Sequence, residues 1–315
     1  MNRALVLWDW HTPTEDIINT SDGPLATFRE LSRRLNLSVC VRSLEAPFSF
    51  SVNGLQFHRL EDEGLIRLID ETRPDFLFCW GSLDRPWHRL VQEKYPEIPK
   101  GLRFSGGPQD SGERHGFRTI FCESPSDEEE FLNLGHTNIV HASACDIGTF
   151  QPRRGKKIWK AVYPTSFCTH KRIELFADVF AGCGLVCGRW NDLALVQYCQ
   201  SRSVHAWPRI SSLNLSYLYQ AADFSVATGG MWGGSQRMVL ESMACNIPPV
   251  VAHDNPRCHS YIKESGFGYI VGANSFGTLS DLEPQKPTGR DYVLSKYTPA
   301  HYADLILAHL GASDG

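Results

Sequence analysis

Four glycines crowd into Gly229-Gly230-Met231-Trp232-Gly233-Gly234, and the chain continues as Ser235-Gln236-Arg237-Met238-Val239-Leu240-Glu241. Glycine tolerates positive φ and lets a ligand approach the backbone closely. The stretch leaves an apolar run, Asp223–Ala227, and enters a helical pattern near Ser235. The first N–H groups of such a helix are free to hold a phosphate. Gly233, Gly234, Ser235 and Gln236 would form that cradle. Glu241 falls about two turns into the helix, where its carboxylate can accept hydrogen bonds from a ribose diol. Arg237 shares the face of Glu241 and either meets a phosphate or pairs with the carboxylate. The plainer reading is a glycine turn followed by a solvated helix.

A second constellation is Tyr163-Pro164-Thr165-Ser166-Phe167-Cys168-Thr169-His170-Lys171-Arg172. Here a strand pattern ends and a helix opens on two cations. At the carboxyl end of a parallel sheet, Lys171 and Arg172 would neutralise a diphosphate, with Lys171 the better placed. In the first half, Trp8-Asp9-Trp10-His11 ends the first strand pattern, and Ser21-Asp22-Gly23-Pro24 precedes the first helix. Phe104-Ser105-Gly106-Gly107-Pro108 is a second glycine loop at a strand end. Indole rings at a strand end suit stacking on a sugar or a base, although they equally suit packing of the sheet edge. Trp8, Asp9, Trp10, Gly23, Gly106 and Gly107 are therefore candidates for contacting an acceptor.

These loops need a scaffold, and the pattern supplies one. Short apolar runs alternate with amphipathic segments, the signature of stacked βα units and parallel sheets. Strands are expected at Arg3–Trp10, Leu37–Leu44, Asp75–Trp80, Gly101–Ser105, Phe117–Cys122 and Asn138–Ala142. A second series is expected at Ile158–Val162, Leu185–Gly188, Val204–Trp207, Asp223–Ala227, Pro249–Ala252 and Gly268–Val271. Helices are expected at Leu25–Leu35, Leu65–Glu71, Trp87–Lys94 and Ser126–Leu134 in the first half. In the second they are Lys171–Phe180, Leu213–Ala222, Ser235–Cys245 and His259–Lys263, with Tyr297–Leu310 last. The basic, turn-rich run Gln151-Pro152-Arg153-Arg154-Gly155-Lys156-Lys157 reads as a linker. It divides an N-terminal domain, 1–150, from a C-terminal domain, 151–296, with the closing helix (297–312) a candidate to pack back on the first. Two doubly wound domains in tandem would bind ligands at the carboxyl ends of their strands.

The 315 residues carry Lys+Arg 31 against Asp+Glu 35, so no global charge argues for nucleic acid or an anionic membrane. No apolar stretch nears the roughly 20 residues that span a bilayer, and no leader pattern opens the chain, so a cytoplasmic protein is expected. The 10 cysteines are dispersed and form no CxxC pair, which favours buried structural thiols over disulfides or zinc.

With these residues in hand, the second half resembles the retaining glycosyltransferases of family 4, which have the GT-B fold of two Rossmann-like domains. Glu241-Ser242-Met243-Ala244-Cys245-Asn246-Ile247-Pro248-Pro249-Val250-Val251 is similar to the family's segment of a glutamate followed by Ala-Met-Ala-Cys-Gly-x-Pro-Val-Val. Ser212–Asp223 is similar to its helix ending in Leu-Tyr-x-x-Ala-Asp, and Asp146–Pro152 to the segment that closes its first domain. The resemblance runs roughly from Asp146 to Val271. It implies that Lys171 holds the donor phosphates and Glu241 the nucleoside. It also exposes departures. The family's first glutamate, which addresses the transferred sugar, is replaced by Gly233, and the arginine before the lysine by Ser166. Arg172 or Arg237 would have to substitute for that arginine. The family's histidine near the reacting centre has His115 as its nearest counterpart by order, with His11 the alternative.

The expected activity is transfer of a hexosyl or pentosyl group from a nucleotide sugar, UDP- or GDP-linked, with retention. No Asp-x-Asp pair occurs, so cations and a helix N-terminus, rather than a metal, would stabilise the leaving diphosphate. His11, His115 and Arg237 are the candidate catalytic groups. The acceptor is open among a glycan, a small molecule and DNA, where stacking of a modified base on Trp8 and Trp10 would suit. A non-catalytic binding or scaffold protein on the same fold is the other alternative, and oligomeric state is left open.

Overall fold

A computed structural model describes residues 2–9, 23–43, 46–82, 85–104, 116–272, 276, 285 and 287–311. The chain forms two compact units: of the described residues, those up to Ala144 apart from Gly23, with the segment from Pro299, make the first, and Cys145–Thr298 with Gly23 the second.

The first unit is built on an eight-stranded sheet in the order β3-β4-β2-β1-β5-β6-β7-β8. Its strands are β1 (Arg3–Trp8), β2 (Asn36–Arg42), β3 (Phe48–Val52), β4 (Leu55–Leu60), β5 (Phe76–Gly81), β6 (Lys100–Phe104), β7 (Thr119–Cys122) and β8 (Ile139–His141). All neighbours pair in parallel except β3 and β4, an antiparallel hairpin. Strand alternation sends successive side chains to opposite faces, and in β1 that sorting builds two cores. Ala4 and Val6 join Leu25, Phe28, Leu31, Phe78 and Tyr302, whereas Leu5 and Leu7 join Leu65, Ile69, Trp87, Val91 and Phe131. Helices Gly23–Ser32 and Pro299–Leu310 therefore cover one face, and Asp62–Thr72, Pro86–Lys94 and Pro125–Asn133 the other. Gly101 admits the last helix, since a Cβ there would lie 2.4 Å from Leu310 Cδ1.

The second unit has six parallel strands in the order β11-β10-β9-β12-β13-β14. They are β9 (Trp159–Pro164), β10 (Gly184–Gly188), β11 (His205–Pro208), β12 (Ala222–Ala227), β13 (Pro249–Ala252) and β14 (Tyr269–Val271). Between them run helices Ile173–Val179, Leu193–Ser201, Ser212–Gln220, Gln236–Ala244 and Pro256–Ser265, with Gly289–Lys296 after β14. Cys145 and Phe150 lie in this unit's core, and Arg290 binds the carbonyls of Ile147, Phe150 and Ala244 at 2.9–3.3 Å. The chain builds outward from β9 to β11, then returns to β12 on the other side of β9. A parallel sheet opens a crevice at such a reversal, beyond the carboxyl ends of the two central strands. Here those ends lead into Thr165–Arg172 and Thr228–Ser235, the two constellations picked out by residue type.

Local differences from the expected elements have local causes. The helix expected from Lys171 begins at Ile173, because Arg172 adopts a left-handed conformation (φ 50°, ψ 46°) behind a 3-10 turn, Thr169–Lys171. The helix expected to open at Ser126 is capped earlier by Ser124, whose hydroxyl accepts from the Asp127 N–H. β1 ends at Trp8, and Asp9 is already outside it.

A Cβ at Gly188, the last residue of β10, would fall 1.8 Å from the Thr165 carbonyl oxygen. Backbone must move to admit it. Gly188→Ala is therefore expected to destabilise the second unit by about 3 kcal/mol, read as a fall in its denaturation midpoint.

Candidate functional site

The site is assembled around the glycine turn. Beyond β12, Thr228 Oγ1 donates to the carbonyls of Lys171 (3.0 Å) and Arg172 (2.8 Å), locking the cation-bearing segment to the strand end. The buried Tyr163 hydroxyl accepts from Gly229 N–H at 3.3 Å and donates to the Lys171 carbonyl at 3.2 Å. Burial pushes this phenol up to about 12, so it stays a neutral donor. Asn255, wholly buried before helix Pro256–Ser265, donates to the carbonyls of Gly229 (3.2 Å) and Gly234 (2.9 Å). Cys258 Sγ adds a contact of 3.3 Å to the Gly234 carbonyl. Glycine is needed where the turn closes on its own backbone: a Cβ at Gly229 would sit 2.9 Å from Gly233 Cα and 3.2 Å from the His170 carbonyl oxygen.

Gly234 (φ 61°) and Ser235 (φ 87°) both take left-handed conformations, so helix Gln236–Ala244 starts abruptly. The side chain of its N-cap residue, Ser235, makes no capping bond, and the first turn of a helix is where an anion can be held by backbone N–H groups. Gln236 is buried within its first turn.

Lys171 Nζ donates to the carbonyl of Gly233. Among the described residues no carboxylate pairs with it, and burial holds its ammonium below the ordinary lysine range, with Arg237 adding repulsion. Arg172 is differently committed. It pairs with Asp254 at 2.6 Å, which holds that carboxyl below its ordinary range. Arg237 is largely exposed and lies 3.5 Å from Glu241. Glu241 is buried, and its other oxygen accepts from the Tyr219 hydroxyl at 3.0 Å. Burial first and the Glu241 charge second raise the Tyr219 phenol well above its ordinary value. Gly233 is less crowded: among the described residues a Cβ there would meet Asn255 Nδ2 and the His170 carbonyl, both at 3.7 Å.

The structure thus gathers Lys171, Gly233, Gly234, Ser235, Gln236, Arg237 and Glu241 in one unit around one turn, with Arg172 beside them in its ion pair. Sequence reasoning missed Tyr163, Thr228 and Asn255, which hold this turn. Only Asn255 carried a signal, the Asp-Asn-Pro that opens a helix. It also missed Trp190 and Trp207, at the ends of β10 and β11, both exposed and joined by a Trp190 Nε1 bond of 3.2 Å to the Trp207 carbonyl. The loop bearing Trp190 adjoins the lysine segment, since Phe167 N–H donates to the Arg189 carbonyl at 2.8 Å.

In the first unit, Trp8, Trp80 and Arg103 are register partners across β1, β5 and β6. The indoles stack at 4.5 Å, and the Arg103 guanidinium lies 4.7 Å over Trp80. Asp9 is buried and serves the fold: it accepts from Trp87 N–H at 2.7 Å and pairs with Arg42 at 3.1 Å. Gly23 begins the first helix. Trp10, His11, Gly106, Gly107 and His115 lie outside the described residues.

No protein-family model and no curated protein matches the sequence. Solved structures do match. A sucrose-phosphate synthase from Thermosynechococcus elongatus superposes with a TM-score of 0.75 at 13% identity, covering 97% of each chain. A glycosyltransferase from Rickettsia africae gives 0.74 at 9% identity over 99% of each. HepE of Anabaena, solved with UDP and glucose, gives 0.70 at 11% identity, covering 98% of this chain and 99% of that one. The chain therefore has the GT-B fold, with two Rossmann-like units.

Replacing Lys171 separates stability from binding. The native state holds this proton less tightly than the unfolded chain does. The free protein should gain stability as pH rises toward the ordinary lysine pKa, and the penalty persists at all lower pH. Lys171→Met removes the charge and keeps the stem. Its thermal midpoint near neutral pH should equal or exceed that of the parent, with the rise at alkaline pH reduced.

Proposed function

We propose that the protein is a glycosyltransferase that takes a nucleotide sugar, UDP- or GDP-linked, at the glycine turn of its second unit. The observation that carries this reading is the part-buried Lys171, without an acid partner among the described residues, beside a helix N-terminus whose N-cap side chain makes no capping bond, at the sheet's reversal. A desolvated cation and free N–H groups stabilise an anion far better than a solvated surface does. The likeness of the whole chain to glycosyltransferase structures, one of them holding UDP, supports the same reading.

In this mechanism Lys171 and the first N–H groups of helix Gln236–Ala244 meet the diphosphate, and Arg237 reaches it from the helix surface. Negative charge grows on the leaving diphosphate as the glycosidic bond breaks, so these groups act most strongly in the transition state. Glu241, held by Tyr219, receives the ribose hydroxyls. The exposed ring of Trp190 offers a stacking surface for the base beside the lysine segment. The leaving charge is met by side chains and backbone, so the reaction needs no metal. Retention follows from the family resemblance. The acceptor, a glycan or a small molecule, would be met by the first unit, with Trp8 the described candidate there.

Titration calorimetry with UDP, GDP, ADP and their sugars, in the presence of a chelator, tests this. One nucleotide should bind in the micromolar range without metal. Lys171→Met should weaken it by roughly ten- to a hundredfold, as expected for one charge-assisted hydrogen bond. Glu241→Gln should weaken nucleoside diphosphates more than inorganic diphosphate, whose contact with Arg237 loses only a competing carboxylate. Absence of binding by every nucleotide would sink the proposal. Binding without donor hydrolysis or transfer to any acceptor would leave a nucleotide-binding protein in place of an enzyme, the outcome that Gly233 most favours.

A further inference from the structure

The helix Ser212–Gln220 carries a face that the donor site does not use. Leu213 and Tyr217, one turn apart, are exposed at 50% and 52%. The Arg153 guanidinium lies over the Tyr217 ring at 4.9 Å. The segment from Arg153 then runs along the helix, since a Cβ on Gly155 would sit 3.7 Å from Gln220 Cβ. Arg154 and Lys156, on this segment, are exposed and without an ion-pair partner among the described residues. Neither the helix nor the stretch Gln151–Ile158 contains an acidic residue. Lys157 turns away, donating to the Ala222 carbonyl, and the neighbouring Asp223 pairs with Lys160 at 3.5 Å.

We infer that this face docks on an anionic lipid surface. Leu213 and Tyr217 would enter the headgroup boundary while Arg153, Arg154 and Lys156 meet acidic headgroups. Arginine and lysine stems lie along apolar surface with their charges at the water boundary, and tyrosine suits the same level. The charge complementarity selects acidic lipid. The paired apolar side chains favour a bilayer over nucleic acid, whose phosphate rim gives leucine nothing to bury. No helix among the described residues is long and apolar enough to cross a membrane, so attachment is at the surface.

Sedimentation with vesicles tests the inference without reference to catalysis. The full chain should co-sediment with phosphatidylcholine vesicles containing phosphatidylserine and be released by salt. It should stay in solution with phosphatidylcholine alone. Each basic residue near such a surface is worth roughly fivefold in partitioning. Arg154→Glu with Lys156→Glu should therefore cut binding by well over tenfold, and Leu213→Ser with Tyr217→Ser should also reduce it. Circular dichroism melting confirms that both double variants fold, and nucleotide affinity should match the parent's. Equal retention on both vesicle types, no retention on either, or indifference to both double variants overturns the inference. So does preferential binding of duplex DNA that the charge variant loses and the Leu213/Tyr217 variant keeps.

Discussion

A part-buried ammonium resting on a backbone carbonyl is the constraint that organises the second unit. Lys171 has no carboxylate partner among the described residues, and burial weakens its hold on the proton. Such an arrangement is unstable unless the surrounding backbone is fixed by other means. Those means are visible: Thr228, Tyr163 and Asn255 bind five carbonyls and N–H groups of the lysine segment and glycine turn. All three are wholly buried, so the turn is held by groups that water does not reach. Preorganisation of this kind lets a cation act on an anion without reorganising at the moment of reaction.

The two neighbouring cations illustrate how environment divides labour. Arg172 sits in a left-handed conformation that ends the 3-10 turn, and it spends its charge on Asp254. That ion pair is exposed and stabilises little, and it lies over Gly230, whose nearest neighbours are these two side chains. Lys171, one residue earlier, points to the opposite end of the turn. Adjacent residues of like charge therefore sit in different surroundings, one in an ion pair and one on a backbone carbonyl, a distinction that no reading of Lys-Arg as a pair could draw.

Most of the scaffold was legible because parallel strands buried on both faces read as apolar runs, and each of the 12 expected strands overlaps an observed one. The hairpin β3–β4 was missed although its signal is present: Phe48–Val52 and Leu55–Leu60 flank Asn53-Gly54, both at positive φ (50° and 80°). That dipeptide supplies the turn whose twist suits a hairpin. Helices Leu193–Ser201 and Gly289–Lys296 were missed for another reason, since neither shows a marked apolar stripe. In the site, charged and glycine residues were legible by type. The residues that aim them were not, because Tyr163, Thr228 and Asn255 act through backbone contacts that only the folded chain creates.

Gly233 is the position at which fold and chemistry part. Its surroundings would admit a side chain, with the nearest atoms at ordinary contact distance, and its φ is not one that demands glycine. Sterics therefore do not explain the absence of the glutamate that similar enzymes place there. Under the proposed function its loss would leave the diphosphate contacts in place, because Lys171 donates to the Gly233 carbonyl, which any residue supplies. What disappears is a carboxylate next to the transferred group. Under the proposed function, selection among donor sugars then falls to the backbone groups of the turn and to the shape left open at Gly233. A site of this kind holds the nucleotide tightly and discriminates the sugar by fit more than by charge, since the hydrogen bonds that would reject a wrong epimer most sharply require the acceptor that glycine lacks.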